Sequence, residues 1–200
     1  MTSLIVLLDA DNVIGLGGKE VLERHEEYAR ELFRQSNGNY GLLILGHREL
    51  IESSKRCDLK HLAVIDVTSE KRAFVFSASK YLNELPEKVE LLVAGDPWKS
   101  GAAALIARKL CKKTFLVEIQ LHADIFASGW LRKSLRNAIK YFFARIVISK
   151  AEIVRTVSFR QAENLKKIRG AFKKTYTVPL PIRISAKQNK HRKMSDQLVF

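Results

Sequence analysis

Ala94-Gly-Asp-Pro-Trp-Lys-Ser-Gly101 is followed at short intervals by Phe115-Leu-Val-Glu-Ile-Gln-Leu-His-Ala-Asp-Ile-Phe126 and by Ala151-Glu-Ile-Val-Arg-Thr-Val-Ser158. Each stretch is an apolar run that passes directly into a helix-start signal. In an open α/β sheet such junctions gather at the carboxyl ends of the strands, the edge where ligands bind. The pattern therefore puts Asp96, His122, Asp124 and Ser158 on one edge.

Outward from these phrases, strand-like runs fall at 4–9, 41–46, 61–67, 91–95, 114–120, 152–158 and 175–180. Most are too continuously apolar for a sheet wetted on one side, which predicts cover on both faces. Apolar residues at helical spacing lie between them: Val21, Leu22, Ala29, Leu32 and Phe33, then Phe74, Ala78, Tyr81 and Leu82. Further patterns are Leu105, Ile106 and Leu110, then Leu131, Leu135, Ile139 and Phe142, and last Leu165 and Ile168. Alternation of strand and helix predicts a Rossmann-like α/β fold, a doubly wound and mainly parallel sheet. Pro97 breaks one strand, Ser100 is a candidate cap for the helix after it, and Ser158 with Gln161 forms a candidate capping box.

The chain has 200 residues, enough for one sizeable core, and its 35 basic against 21 acidic residues leave a net charge of +14. Such an excess calls for an anionic partner: a phosphorylated substrate, an acidic membrane surface or a nucleic acid. Nucleic acid is disfavoured, because no recognised reading motif is present. Cys57 and Cys111 form no CxxC pair and stand near no histidine cluster, so neither a disulfide framework nor a metal site is expected. The opening run Leu4–Leu8 lacks a basic leader and meets Asp9 and Asp11, which makes a poor signal peptide. No apolar stretch approaches the roughly 20 residues that span a bilayer. A cytoplasmic protein is expected, with the inner face of the membrane as a possible station.

The three phrases, in this order and spacing, resemble the N-terminal half of family 4 glycosyltransferases of the two-domain GT-B fold. The resemblance covers residues 1–182 and implies a transferase of polysaccharide biosynthesis. Such an enzyme moves a sugar from a nucleotide-diphosphate sugar to a saccharide or lipid-linked acceptor with retention of configuration, and uses no other cofactor. It implies too that 183–200 is a basic linker running into the first strand of a donor-binding domain, so that this chain is the acceptor-side half and is inactive alone. Glu23 and Glu31 mimic the spacing of the family's acidic pair, but that pair belongs to the C-terminal domain; here they lie on the first helix among Glu20, Glu26 and Glu27.

The first strand-to-helix loop, Asn12-Val-Ile-Gly-Leu-Gly-Gly-Lys19, offers close backbone approach, helix N–H donors and the Lys19 charge to a phosphate. A dinucleotide fingerprint from Gly15 and Gly17 would need a third glycine where Glu20 stands, which argues against NAD. By resemblance, Gly17 and Gly18 lie beside the donor phosphates or the acceptor; a tight turn that binds nothing is the alternative. By resemblance again, His122 reaches the cleft and contacts the donor sugar, and Asp124 matches the acidic residue two positions on. Asp124 is equally well read as a helix cap or as a residue that orients a loop.

Asp96 and Trp98 are candidates for an acceptor pocket, the indole stacking on a sugar face, beside a plain role in capping and packing. The family often has a histidine or other polar residue where this chain has Gly95. From Trp130 to Arg145 the chain carries Arg132, Lys133, Arg136, Lys140 and Arg145 with no acid, opposite the stripe Leu131, Leu135, Ile139 and Phe142. Two expectations compete there. The cations hold an anionic membrane, or they form a solvated face whose apolar side packs on the sheet. The rival to a transferase is accordingly a non-catalytic basic module for an anionic membrane or nucleic acid.

Overall fold

The computed structural model describes residues 3–11, 14, 18–47, 61–68, 70, 72–127, 129–168 and 175–178. Gly17 and the expected linker at 183–200 lie outside the described residues. Strands β1 (Ser3–Leu8), β2 (Tyr40–Gly46), β3 (Leu62–Asp66), β4 (Lys88–Ala94), β5 (Leu116–Leu121), β6 (Ile153–Thr156) and β7 (Thr175–Thr177) form one sheet in the order β3-β2-β1-β4-β5-β6-β7. Every pairing is parallel. Among the described residues, five helices alternate with them: α1 (Gly18–Gln35), α2 (Phe74–Glu84), α3 (Lys99–Leu110), α4 (Leu135–Lys150) and α5 (Phe159–Leu165). All seven expected strands are present, and the doubly wound α/β reading holds.

The order of strands explains where a ligand edge arises. From β1 the chain winds outward to β2 and β3, then returns past β1 to β4 and winds the other way. Loops leaving β1 and β4 diverge to opposite faces, which opens a crevice at that reversal.

Strand side chains alternate between two apolar layers. Leu7, Leu42, Ile44, Leu62 and Val64 meet Leu22 and Ala29 of α1. Val6, Leu8, Leu43, Leu45, Leu92, Ile119 and Leu121 meet Phe74 and Leu82 of α2, Ala104 of α3, and Val147 and Ile148 of α4. Each fully buried leucine or phenylalanine contributes about 2 kcal/mol relative to exposure. Among the described residues the apolar layer on one face gives way to polar groups at the β5–β7 end, where Glu118 is nonetheless buried. There, on the α1 side, Leu116 is half exposed and a polar ladder takes over. Tyr176 Oη donates to Glu118 at 2.6 Å, Gln120 Nε2 donates to Glu118 at 3.0 Å, and Arg155 donates to Gln120 at 3.1 Å. The reason is the period-two spacing of Glu118 and Gln120 and the register that sets Arg155 beside Gln120, which together send these three polar residues to one side.

Two expected helix starts differ in detail. Ser100 lies inside α3 and does not cap it; Asp96 does, accepting from the N–H of Trp98 at 2.6 Å and of Ser100 at 3.3 Å. A carboxylate four residues before Ser100 reaches the unpaired N–H groups better than a short hydroxyl within the helix. Ser158 behaves as expected, accepting from the N–H of Gln161 at 3.3 Å, while Gln161 Oε1 returns to the N–H of Val157 at 2.9 Å.

The pattern over Trp130–Arg145 is broken in two. Residues Leu131–Lys133 form a single 3₁₀ turn, and Ser134 then caps α4 by accepting from the N–H of Asn137 at 3.1 Å. Arg132 and Lys133 therefore precede the helix that carries Arg136, Lys140 and Arg145. The apolar stripe does not pack on the sheet either: Leu135 is 79% exposed, Ile139 63% and Phe142 56%. Ala144, Val147 and Ile148 bury the opposite side. No helix among the described residues is long and apolar enough to cross a membrane.

Gly101 lets α3 approach the sheet and α4. A Cβ there would stand 2.8 Å from Val147 Cγ1 and 2.9 Å from the Asp96 carbonyl oxygen. A backbone oxygen cannot swing aside, so Gly101→Val is expected to cost about 3 kcal/mol by overpacking. Gly95, whose Cβ would meet nothing within 4 Å, serves as the control: Gly95→Ala should stay within about 0.5 kcal/mol. Urea titration of both variants checks the pair, and an unshifted midpoint for Gly101→Val contradicts the close approach.

Candidate functional site

Gly95, Asp96, Pro97 and Trp98 after β4 face Gln120, Leu121, His122, Ala123 and Ile125 of β5 and its loop across one small cleft. It lies at the carboxyl edge of the sheet, next to the β1/β4 reversal. Asp96, Trp98 and His122, far apart in sequence, are thus brought together as expected.

Asp96 is held by the two N–H groups it caps, so its carboxylate is preoriented. Trp98 is clamped to α4: its Nε1 donates to the Lys140 carbonyl at 3.2 Å, and the Lys140 ammonium lies 4.3 Å from the ring centroid. That contact stabilises by about 1 kcal/mol. Lys140, one of the expected membrane-facing cations, thus packs against a residue that lines the cleft. Apolar stacking area and polar anchoring coexist in Trp98, as packing and pocket-lining together require.

His122 directly follows β5 and is exposed. Crowding by the strand ends lowers its pKa below the ordinary value, the Arg155 charge lowers it further, and Asp96 opposes both. At neutral pH the imidazole is neutral, with one nitrogen to donate and one to accept. Because the folded pKa lies below the unfolded value of about 6.5, the unfolded chain binds the proton more readily. The contribution of His122 to stability is therefore full above pH ~6.5 and is lost as pH falls below it. Arg155→Gln removes one depressing charge, and the His122 midpoint, followed by proton NMR of the ring, is expected to rise. An unmoved or lowered midpoint contradicts the coupling.

Asp124 does not line the cleft. Its carboxylate accepts from Asn164 Nδ2 at 3.1 and 3.2 Å and faces Arg160 Nε at 3.5 Å, which ties the loop after His122 to α5. The structure thus gives Asp124 a positioning contact, the reading in which it orients a loop. Ser158 caps α5 and is likewise outside the cleft.

Gly18 and Lys19 are the first residues of α1, whose N-terminus opens at the same edge, one strand away from Asp96. Sequence reasoning missed the groups that brace this corner. Asp9, 5% exposed, accepts the N–H of Ile14 at 2.8 Å and so shapes the start of the loop. Asp11 pairs with Lys99 Nζ at 2.5 Å, joining the loop after β1 to the turn after β4 across the reversal. The available signal was the Leu-Asp-Ala-Asp ending of an apolar strand, since carboxylates there can only reach loop N–H groups or cations. Gln120 was missed as a cleft wall because it sits within the apolar run.

No protein-family model matches the sequence, and no curated protein does. Solved structures of Anabaena Alr3699/HepE do share the fold. The complex with UDP-glucose aligns with a TM-score of 0.55 at 14% identity over 90% of this chain and 44% of that one. The complexes with UDP and glucose and with UDP align with TM-scores of 0.54 and 0.55 at 13% identity, with the same coverage. This chain is thus similar in fold to part of a protein that binds UDP-glucose, and spans less than half the length of that protein.

Proposed function

We propose that the chain is the acceptor-side Rossmann-like half of a retaining, nucleotide-sugar-dependent glycosyltransferase, residues 1–182, with a donor-binding half beyond it. The observation that carries this is the convergence of Asp96, Trp98 and His122 on one cleft at the carboxyl edge beside the sheet's reversal. Support comes from the motif resemblance, from the N-terminus of α1 at the same edge, and from the shared fold of the UDP-glucose-binding neighbour.

In this reading His122 donates to the donor sugar, Trp98 and Asp96 shape the acceptor side, and the loop with Gly17, Gly18 and Lys19 meets the leaving diphosphate. Backbone N–H groups at the start of an 18-residue helix favour that anion, and positioned charge of this kind stabilises a departing phosphate without a metal ion. A cytoplasmic enzyme serving polysaccharide assembly fits this chemistry. The test is product formation by a chain extended beyond Phe200, offered a panel of labelled nucleotide sugars with saccharide and lipid-linked acceptors. Donor-dependent product with retained anomeric configuration is expected; inversion refutes the retaining assignment, and no product with any donor refutes the transferase.

A further inference from the structure

Helix α4 turns its apolar ridge to solvent. Leu135, Ile139, Phe142, Phe143 and Ile146 are all at least 41% exposed. At 3.6 residues per turn they share an arc of roughly 100°, while Ala144, Val147 and Ile148 hold the other side against the core. A globular helix ordinarily does the reverse. Cations border this ridge: Arg136 on one flank, Arg145 on the other, Arg132 and Lys133 in the turn before it and Lys150 at its end, all exposed. No acidic residue occurs from Ile125 to Ala151.

We propose that α4 docks in the plane of an anionic bilayer, its apolar ridge inserted among the acyl chains and its bordering cations among the headgroup phosphates. Charge and shape select this occupant. A second copy would set the same cations against themselves, and a nucleic acid would leave the apolar centre of the ridge unpaired. An interfacial membrane offers both an apolar depth and an anionic plane, which an amphipathic helix satisfies without crossing. Lys140, on the core-facing side of the same helix, contacts Trp98 of the cleft, so α4 touches both the ridge and the cleft wall. The inference goes beyond the transferase assignment and does not depend on it.

Flotation of the 200-residue chain with vesicles of mixed phosphatidylglycerol and phosphatidylcholine, against phosphatidylcholine alone and without any sugar nucleotide, tests the docking. Recovery with the anionic vesicles is expected, weakened by salt. Phe142→Ser with Ile146→Ser should lower partitioning about tenfold or more with an unchanged circular-dichroism melt, since both side chains are exposed. Reversing Arg132, Lys133 and Arg136 to Glu should do the same. Equal recovery with both vesicle types overturns the proposal, as does full binding by the serine pair. A dimer that the serine pair abolishes assigns the ridge to a second copy, and displacement from vesicles by a duplex oligonucleotide assigns the cations to nucleic acid. Either of these also overturns it.

Discussion

His122→Ala, in a chain extended through the proposed donor-binding half, is expected to lower turnover by about a hundredfold, the low end for a positioned hydrogen-bonding group, and to leave melting almost unchanged. His122 is exposed directly after β5, so removal of its ring takes little from the core. What is lost is a neutral imidazole in a cleft with Asp96 and Trp98. His122→Asn, which keeps a donor of shorter reach, should recover part of the rate. Because crowding and Arg155 depress the histidine's pKa, rate depends on the neutral form and its acid limb lies below about pH 6.5. A large loss of melting temperature with intact specific activity, or an acid limb above that value, contradicts the role.

The strands were legible because runs such as Leu4–Leu8 and Leu91–Ala94 are apolar on both faces, a pattern that only a covered parallel sheet requires. The cleft was legible for a related reason: Asp96 and His122 follow such runs immediately, and topology alone carries their ends to one edge. Contacts that depend on three-dimensional neighbours were not legible. Asp96 and Ser100 are both good capping residues, and only the turn at Pro97 decides that the carboxylate reaches the helix N–H groups. Ser134 was an unread cap that divides one apparent helix into a turn and α4. Periodicity showed that Leu135, Ile139 and Phe142 share a stripe; it carries no information on which way that stripe faces. Small Ala144 with Val147 and Ile148 proved the better fit to the close α3–α4 approach that Gly101 permits, so the larger residues were turned outward.

The 200-residue chain is expected to fold alone yet transfer no sugar. Its two apolar layers join strands β1 to β6 to the described helices, which suffices for an independent domain. Transfer needs more: the activated sugar must be held against the acceptor inside a closed site, where positioning supplies up to about 10 kcal/mol of the barrier. One wall, with His122 exposed to solvent, supplies little of it. The neighbour of the same fold, of which this chain covers 44%, has length for a second wall.

Side-by-side assay of this chain and one extended through the following domain, with the same labelled nucleotide sugars and saccharide or lipid-linked acceptors, tests the half-enzyme assignment most directly. Cooperative melting of both chains with donor-dependent product from the extended one alone is the result the account predicts. Product from the 200-residue chain at a comparable rate would contradict it and place the whole active site within these residues.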